Sequence, residues 1–579
     1  MSVDRIEWRE QWSDDIRALI QGAMDRLHVA GAAVAVVSND NVVMSEGFGY
    51  RNIDSRAPAD EDTLFAIGSA TKAFTTMSAA LLAESGDMDW DKPVQSYLPE
   101  FQLSDPIATH EATPRDLGSH RVGLPRHEFS WYKADLSRKE LIDRLRYLPL
   151  SRPFRTTFQY QNMMFTTLGY LVERVSGLSW EQFAARRILA PLGMHRTNFT
   201  VKDSKKDENH ATPYVTKDGV NRAVPFADID ALGPAGTINS SVKDMAKWVR
   251  LHLAGGKLGE NRIISETGLA EMHQPQMIIK PPVKDERRLG TAYGLGWFTE
   301  VYQGNFILHH GGNIDGFSAM VMLVPSRHLG IVVLCNQEVS VFPASVAYSI
   351  VDKALGLPDF EWTPYLADQL QKQFAAIQQA GNYDAERKEG TVPSHNLEDY
   401  CGDFEHQAYG TARISMHDGQ LFLTYHTWPE EVPMEHYHYD VFIMRAEMET
   451  IPMTWRVPFR AGLNGAIDEL EIQFEDLTAP IVFKRKAVSV DLSATELERY
   501  AGDYTLLDVQ TLTVDLVGDS VLALIVAGQP PYTLLPEADH RFALKGLSGF
   551  AVQFHVSDTG ECTGGDMIQP NGIFAFKRA

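Results

Sequence analysis

Cysteine is nearly missing from this chain: Cys335, Cys401 and Cys562 are the only three in 579 residues. A sparse, odd count with wide spacing gives no disulfide framework and points to a reducing compartment. Long apolar runs are missing too, since none approaches the ~18 residues a membrane span needs. Met1–Asp15 is charged and lacks the apolar stretch of a secretory signal. The expectation is a cytoplasmic protein with no membrane partner. Basic residues are outnumbered, 53 Lys+Arg against 76 Asp+Glu, for a net charge of -23. That balance argues against nucleic acid as a partner. The short clusters Lys284–Arg288 and Lys484–Lys486 read as solvated surface. The acidity keeps the protein soluble, and it suits amino-terminal or cationic substrates.

No H-E-x-x-H and no glycine-rich phosphate loop occurs. The nearest thing to a ligand pair is His436 and His438, which would share one strand face. No further residue completes a set by spacing. They read as a polar strand face, and no metal or other cofactor is expected.

What the chain does have is Ser69-Ala70-Thr71-Lys72, set between the apolar run Leu64–Gly68 and a helix-like stretch, Ala73 to Glu84. One helical turn places the hydroxyl and the amine on one face. A serine attacks well only when a base takes its proton. Lysine can be that base only if its pKa falls far below about 10.4, which burial and a cationic neighbour bring about. The residues Phe74, Met77, Leu81 and Leu82 recur at helical spacing and read as a buried face. Backbone N–H groups at the start of such a helix are free to bind an oxyanion. The same S-x-x-K spacing at Ser240–Lys243 reads differently, as an N-cap opening a helix.

Two further elements carry chemistry. Tyr160-Gln161-Asn162 precedes a helical run, Thr166 to Ser176, and aims a phenol and an amide from one loop. Tyr50-Arg51-Asn52 has the same spacing and reads as a turn. His310-Gly311-Gly312-Asn313 follows a strand-like segment and precedes another, Phe317–Val324. Two glycines on a strand edge let a substrate backbone approach closely, although a hairpin turn explains them as well.

The order S-x-x-K, Y-x-N, H-G-G resembles the penicillin-binding-protein and class C β-lactamase-like serine hydrolases. Gly31–Val37 with Glu46–Tyr50, Arg115–Pro125, Pro234–Trp248 and Tyr293–Trp297 are similar to other landmarks of that family. The likeness covers roughly residues 10 to 355. It implies Ser69 as the acylated nucleophile, Lys72 as its base and Tyr160 as proton shuttle. It also implies Asn162 as a substrate-orienting amide, His310, Gly311 and Gly312 as the strand edge, and the N–H groups of Ser69 and Asn313 as the oxyanion hole. One departure stands out. Penicillin-handling members usually carry Lys-Thr-Gly where this chain has His310-Gly311-Gly312. A histidine is mostly neutral near pH 7, so recognition of a substrate carboxylate is weakened. The H-x-G variant occurs in D-stereospecific aminopeptidases and in some esterases of the family.

The C-terminal third changes character. Residues 356–395 hold a polar helical stretch, Tyr365 to Ala380. Beyond it Leu397–Phe404 is echoed by Leu497–Tyr504, and Phe483-Lys484-Arg485 by Phe576-Lys577-Arg578. Short alternating strands lie between these markers, in two copies of about 90 residues. They read as two antiparallel barrels or sandwiches and resemble the lipocalin-like appendages of the D-aminopeptidase branch. In that branch a loop of an appended domain reaches the active site; His406–Thr411 and Thr427–Tyr439 are the candidates here.

The predicted architecture is therefore a β-lactamase/transpeptidase-like α/β (α+β) domain with an antiparallel sheet flanked by helices (1–360). A linker (361–395) and two small all-β barrels (396–487 and 488–579) follow. The expected activity is hydrolysis of a small amide or peptide through an acyl-enzyme, in the manner of an aminopeptidase. The alternatives are a carboxylesterase and a slowly deacylating penicillin-binding sensor. The expected partner is a small-molecule amide, peptide or ester, and by resemblance to multidomain members the assembly is a homodimer. Pocket shape is left to the loops Glu128–Arg138, Val201–Asp230 and Met277–Gly290.

Overall fold

In the computed structural model the described residues are 6–280, 285–425, 428, 430–448, 451–463, 465–486, 490–507, 509–518, 520–547 and 549–579. Thr427, part of the Met277–Gly290 loop and the expected boundary at 487/488 lie outside them. The chain divides into two compact units, Met1–Lys484 and Arg485–Ala579.

The apolar run Gly31–Ser38 forms strand β1, buried along its whole length. A half-buried strand would alternate; this one carries no polar side chain from Gly31 to Val37, because both faces of the sheet are covered. Ala33, Ala35 and Val37 face one apolar cluster, while Ala32, Val34 and Val36 face another. The partners are β2 (Asn41–Asn52), β3 (Ala57–Pro58), β4 (Met277–Ile278), β5 (Arg288–Tyr293), β6 (Phe298–Tyr302), β7 (Asn305–Ile314), β8 (Phe317–Val324) and β9 (Leu329–Cys335). Among the described residues the sheet order is β4-β5-β6-β7-β8-β9-β1-β2-β3. The pairs described in it are antiparallel, with Val34 opposite Val333 and His310 opposite Val321. Helices α1 (Gln11–Leu27) and α5 (Phe342–Leu355) share one cluster, through Ile16, Ile20, Val346 and Ile350. Helices α2 (Lys72–Glu84), α3 (Asn162–Ser176) and α4 (Val242–Leu253) belong to the other. Ser241 caps α4, its hydroxyl accepting from the N–H of Asp244, so the second S-x-x-K is a helix start.

His252, buried on α4, pairs with the half-buried His273. His252 Nδ1 is 2.9 Å from His273 Nε2, and both rings meet Trp297. Burial pushes both below the ordinary histidine range, His273 to about 4. The unfolded chain takes up the His273 proton near pH ~6.5, whereas the folded chain resists until about pH 4. Stability therefore falls as pH drops through that window, by roughly 3 kcal/mol from His273 alone. Melting temperatures between about pH 7 and 4 test this. The His273→Gln variant is expected to show a shallower slope than wild type, and an equal slope would contradict the assignment.

Helix α6 (Trp362–Ala380) leads to the first closed barrel. Its strands are β10 (Gly402–His406), β11 (Gly410–His417), β12 (Gln420–Tyr425), β13 (Val432–His438), β14 (Val441–Met448), β15 (Ile451–Ala461), β16 (Ile467–Ile472) and β17 (Ile481–Arg485). Aromatic side chains fill it, and the cluster of Tyr409, Tyr425, Trp455, Phe474 and Phe483 is continuous with that of α2 and α3. That shared apolar surface makes one unit of the sheet domain and this barrel. His436 Nε2 donates to the Tyr439 carbonyl and His438 Nδ1 accepts from the Lys388 N–H, with a bulge between the two histidines.

The second unit is a closed barrel of β18 (Gly502–Leu506), β19 (Gln510–Val517), β20 (Val521–Val526), β21 (Tyr532–Pro536), β22 (Arg541–Leu544), β23 (Ala551–Val556), β24 (Cys562–Gln569) and β25 (Gly572–Arg578). Tyr500, Tyr504, Phe542, Phe554 and Phe576 form its core. Among the described residues no helix is long and apolar enough to cross a membrane.

Candidate active site

The residues singled out by pattern converge where α2 begins. Gly68–Thr71 forms a tight 3-10 turn leading into α2, with Gly68 at φ +50°, a left-handed backbone that glycine adopts freely. Ser69 follows it, at the end of the helix where N–H groups lack intrahelical partners. Strand β7 closes up against this turn. A Cβ on Gly312 would lie 1.9 Å from the Ile67 carbonyl oxygen and 3.0 Å from the Ser69 nitrogen. One on Gly68 would lie 2.9 Å from the Asn313 nitrogen. Two missing side chains thus bring the amides of Ser69 and Asn313 to one wall. Strand β6 covers β7 only as far as His309, opposite Phe298, so the backbone beyond it is not paired to β6.

Lys72 is fully buried beneath Ser69. Its Nζ lies 3.0 Å from Ser69 Oγ, 2.8 Å from Asn162 Oδ1 and 2.8 Å from the Ala235 carbonyl. It also sits 4.8 Å from the centre of the Tyr160 ring. Burial above all, then the positive charge of Arg126, holds its pKa well below the ordinary lysine value. A neutral amine has two N–H donors and one lone pair. Asn162 Oδ1 and the Ala235 carbonyl can only accept, so the lone pair is left for the Ser69 hydroxyl. Pro234–Ile238 secures this end of the helix. Thr75 Oγ1 donates to the Pro234 carbonyl, and Thr71 Oγ1 accepts from the Ile238 N–H.

Tyr160 and Asn162 are aimed by the residue between them. Gln161 is buried, caps α3 by accepting from the Met163 N–H, and donates its own backbone N–H to His120 Nδ1. Helix α3 starts at Asn162, four residues before the predicted run at Thr166. The Tyr160 hydroxyl stands on the Ser69 side of the cleft, and loss of water around it raises its pKa. The phenol therefore stays protonated while the neighbouring amine is driven neutral, which separates the acid from the base. His120 leans on Tyr160, the rings tilted by 33° with centres 4.3 Å apart, and is held neutral by burial.

His310 does not face the cleft. It is buried, with Nε2 2.9 Å from the Tyr293 hydroxyl and Nδ1 2.6 Å from the Gly311 carbonyl. A carbonyl only accepts, so Nδ1 carries the proton and Nε2 accepts from Tyr293. Burial pushes its pKa down to about 3. Gly311 points towards Met320, where a Cβ would meet only ordinary contacts. It is the backbone of this segment, not the histidine charge, that borders the site.

The cleft above Ser69 has a volume of about 390 Å³. Three of its residues, Ser69, Asn162 and Asn313, carry the pattern; the expected pocket loop Glu128–Arg138 supplies Glu128, Phe129, Trp131 and Tyr132, while sequence reasoning missed Arg126, Asp315, Glu338 and Met453. Arg126, Glu128, Phe129, Trp131 and Tyr132 come from one loop, Asp315 from the β7–β8 turn, Glu338 from the stretch after β9, and Met453 from barrel strand β15. Arg126 Nη2 lies 2.5 Å from Glu128 Oε1, and Asn162 Nδ2 donates to the same oxygen at 3.3 Å. The Tyr132 hydroxyl bonds Asp315. Ile229 comes from the predicted Val201–Asp230 loop. Neither barrel loop expected to reach the site lines the cleft among the described residues; Met453 does. No periodic signal marks these residues, because long-range packing brings them together.

The family model described as Beta-lactamase matches residues 16–355, and a domain of unknown function (DUF3471) matches residues 386–485. An unguisins hydrolase of Aspergillus violaceofuscus is 30% identical over 447 residues, covering 71% of this chain and 78% of the relative. An unguisins hydrolase of Aspergillus campestris is 29% identical over 487 residues, covering 80% and 89%. The octameric penicillin-binding protein homologue from Pyrococcus abyssi shares the fold, with a TM-score of 0.54 at 21% identity over 82% of this chain and 100% of that one.

Proposed function

We propose, for a chain that belongs to the β-lactamase family and is a serine hydrolase, that it cleaves small amides or peptides through an acyl-enzyme on Ser69. The observation that carries this reading is the Lys72 amine, fully buried and 3.0 Å from Ser69 Oγ. Lys72 takes the hydroxyl proton as Oγ bonds to the substrate carbonyl carbon. The oxyanion forms between the N–H groups of Ser69 and Asn313, and Asn162 orients the substrate amide. When the C–N bond breaks, the Tyr160 phenol gives its proton to the departing amine and recovers one from Lys72. Water then gives a proton to the neutral Lys72 amine as it attacks the acyl carbonyl, and the amine returns that proton to Ser69 Oγ as the ester C–O bond breaks.

The protonated phenol supports the amide reading, because an amine leaves poorly without a proton whereas an alkoxide needs less help. Glu128, Asp315 and Glu338 line the cleft, which supports a substrate bearing an amino group. The neutral, buried His310 supplies no charge for a carboxylate, which argues against penicillin turnover. The unguisins hydrolases add support for hydrolysis, with unguisins as further substrates to try.

The test compares chromophore release from a D-alanine p-nitroanilide, a p-nitrophenyl ester and a penicillin, for wild type and Ser69→Ala. Ser69-dependent release from the anilide is expected. Release from the ester alone would make the protein a carboxylesterase, and a stable penicillin adduct without release would make it a sensor.

A further inference from the structure

The loop that brings Arg126 and Glu128 to the nucleophile is gripped by the first barrel. Glu475 accepts backbone N–H groups from both His127, at 3.0 Å, and Glu128, at 2.5 Å. Tyr409 donates its hydroxyl to His127 Nδ1 at 2.7 Å, while His127 Nε2 donates to the Pro149 carbonyl. The Tyr425 hydroxyl lies 2.8 Å from the Phe129 carbonyl. The Phe129 ring stacks on Phe474 at 4.8 Å and meets the edges of Trp428 and Trp455. His127 has φ +49°, a strained backbone for a residue other than glycine that persists only when its surroundings impose it.

We propose that this barrel is a positioning element for catalysis, in which Glu475 and the aromatic mouth fix the 126–132 loop so that Arg126 and Glu128 flank the nucleophile. The inference rests on the serine-hydrolase reading of Ser69 and Lys72. Its logic is electrostatic. The groups around the Lys72 amine are Tyr160 and Asn162 at the start of α3, His120 and His310 held neutral, and the Arg126–Glu128 pair from the loop. Of these, Arg126 favours the neutral, proton-accepting amine, and Glu128 opposes it. Arg126 also stacks over the Tyr160 ring at 5.1 Å. A loop free to move takes the Arg126 charge away from both, and the amine becomes harder to deprotonate.

A carboxylate taking two backbone N–H groups suits this role better than a neutral amide, which offers one acceptor oxygen. Glu475 is half-buried and faces Glu128 and Arg126, and loss of water around it pushes its pKa up to about 7. The grip therefore weakens as Glu475 gains a proton on the acid side.

Two readouts on the full-length protein test the inference. Hydrogen exchange at the amides of His127 and Glu128 reports the grip without needing activity. The rate of Ser69 labelling by a fluorophosphonate, followed against pH, reports the catalytic consequence. In Glu475→Ala the two amides are expected to lose protection by roughly tenfold or more, the return on a charged hydrogen bond. The acid limb of the labelling profile is expected to move to higher pH, with slower labelling at neutral pH. Glu475→Gln is expected to fall between, and Phe129→Ala to resemble Glu475→Ala, so the proposal does not depend on one variant folding. Wild-type protection in both Glu475→Gln and Phe129→Ala would overturn it. So would loosened amides with an unmoved pH profile, which would mean a structural contact only. Labelling that survives Ser69→Ala in otherwise wild-type protein would instead refute the underlying reading of Ser69.

Discussion

Replacing Lys72 by methionine is expected to slow Ser69 acylation by about 10²–10⁴-fold, the range a positioned general base supplies, without unfolding the protein. Methionine matches the length of the lysine stem and fills the same fully buried space. It has no lone pair for the Ser69 proton. It also leaves Asn162 Oδ1 and the Ala235 carbonyl without the donor they share now. An orphaned buried acceptor costs about 1–3 kcal/mol; removing a buried amine returns part of that. The melting temperature is therefore expected to move by only a few degrees while the labelling rate collapses. The wild-type rate is expected to fall as pH drops through the Lys72 pKa, since only the neutral amine accepts a proton. That pKa is depressed, so activity persists at neutral pH, unlike that of an ordinary lysine. Stopped-flow labelling over a pH series, with melting curves on the same samples, checks both parts. A methionine variant retaining a tenth of the wild-type rate would contradict the assignment of the base.

The second large effect is expected at Gly312. A methyl group there would lie 1.9 Å from the Ile67 carbonyl oxygen, a distance no side chain tolerates, and the obstacle is backbone. The Gly312→Ala protein must therefore part strand β7 from the Ser69 turn, separating the amides of Ser69 and Asn313. Losing one oxyanion donor costs about 10²–10³-fold in kcat, and overpacking of this kind costs about 1–3 kcal/mol of stability. At Gly311 a Cβ would stand 3.5 Å from the Ala319 oxygen and 3.7 Å from Met320 Cε, both ordinary contacts. Gly311→Ala is expected to lose far less of both. Steady-state kinetics and thermal melts of the pair decide the matter: equal losses at the two positions would mean that the close approach of β7 does not set the oxyanion geometry.

These expectations rest on features of unequal visibility in the sequence. The run Gly31–Val37 was legible only as a landmark of the family resemblance, whereas the S-x-x-K turn was plain in its junction of an apolar run and a helix. The periodicity of α2 was a weaker guide. Phe74, Met77, Leu81 and Leu82 mark one buried face, but Thr75, Thr76 and Ser78 are buried as well. Their hydroxyls bond backbone carbonyls of Pro234, Leu295 and Phe74, which no amphipathic pattern reveals. The early start of α3 was hidden because Gln161 is an uncommon cap. The neutrality of His310 could be expected from histidine chemistry, whereas its burial behind Tyr293 could not. Arg126 and Glu128 carry no motif at all. Glu475, more than 300 residues away in sequence and joined by hydrogen bonds to the adjacent His127, could be linked to them only by the docking of the barrel. Patterns of one or two turns were legible, and contacts across the chain were not.

The most direct test of the central claim is to trap the acyl-enzyme and locate it. Wild type and Ser69→Ala are mixed briefly with the D-alanine p-nitroanilide, quenched in acid and digested, and the peptide containing Ser69 is weighed. The expected result is an alanyl mass increment on Ser69, absent from Ser69→Ala. An increment on another residue, or on the Ser69→Ala protein, would contradict the account.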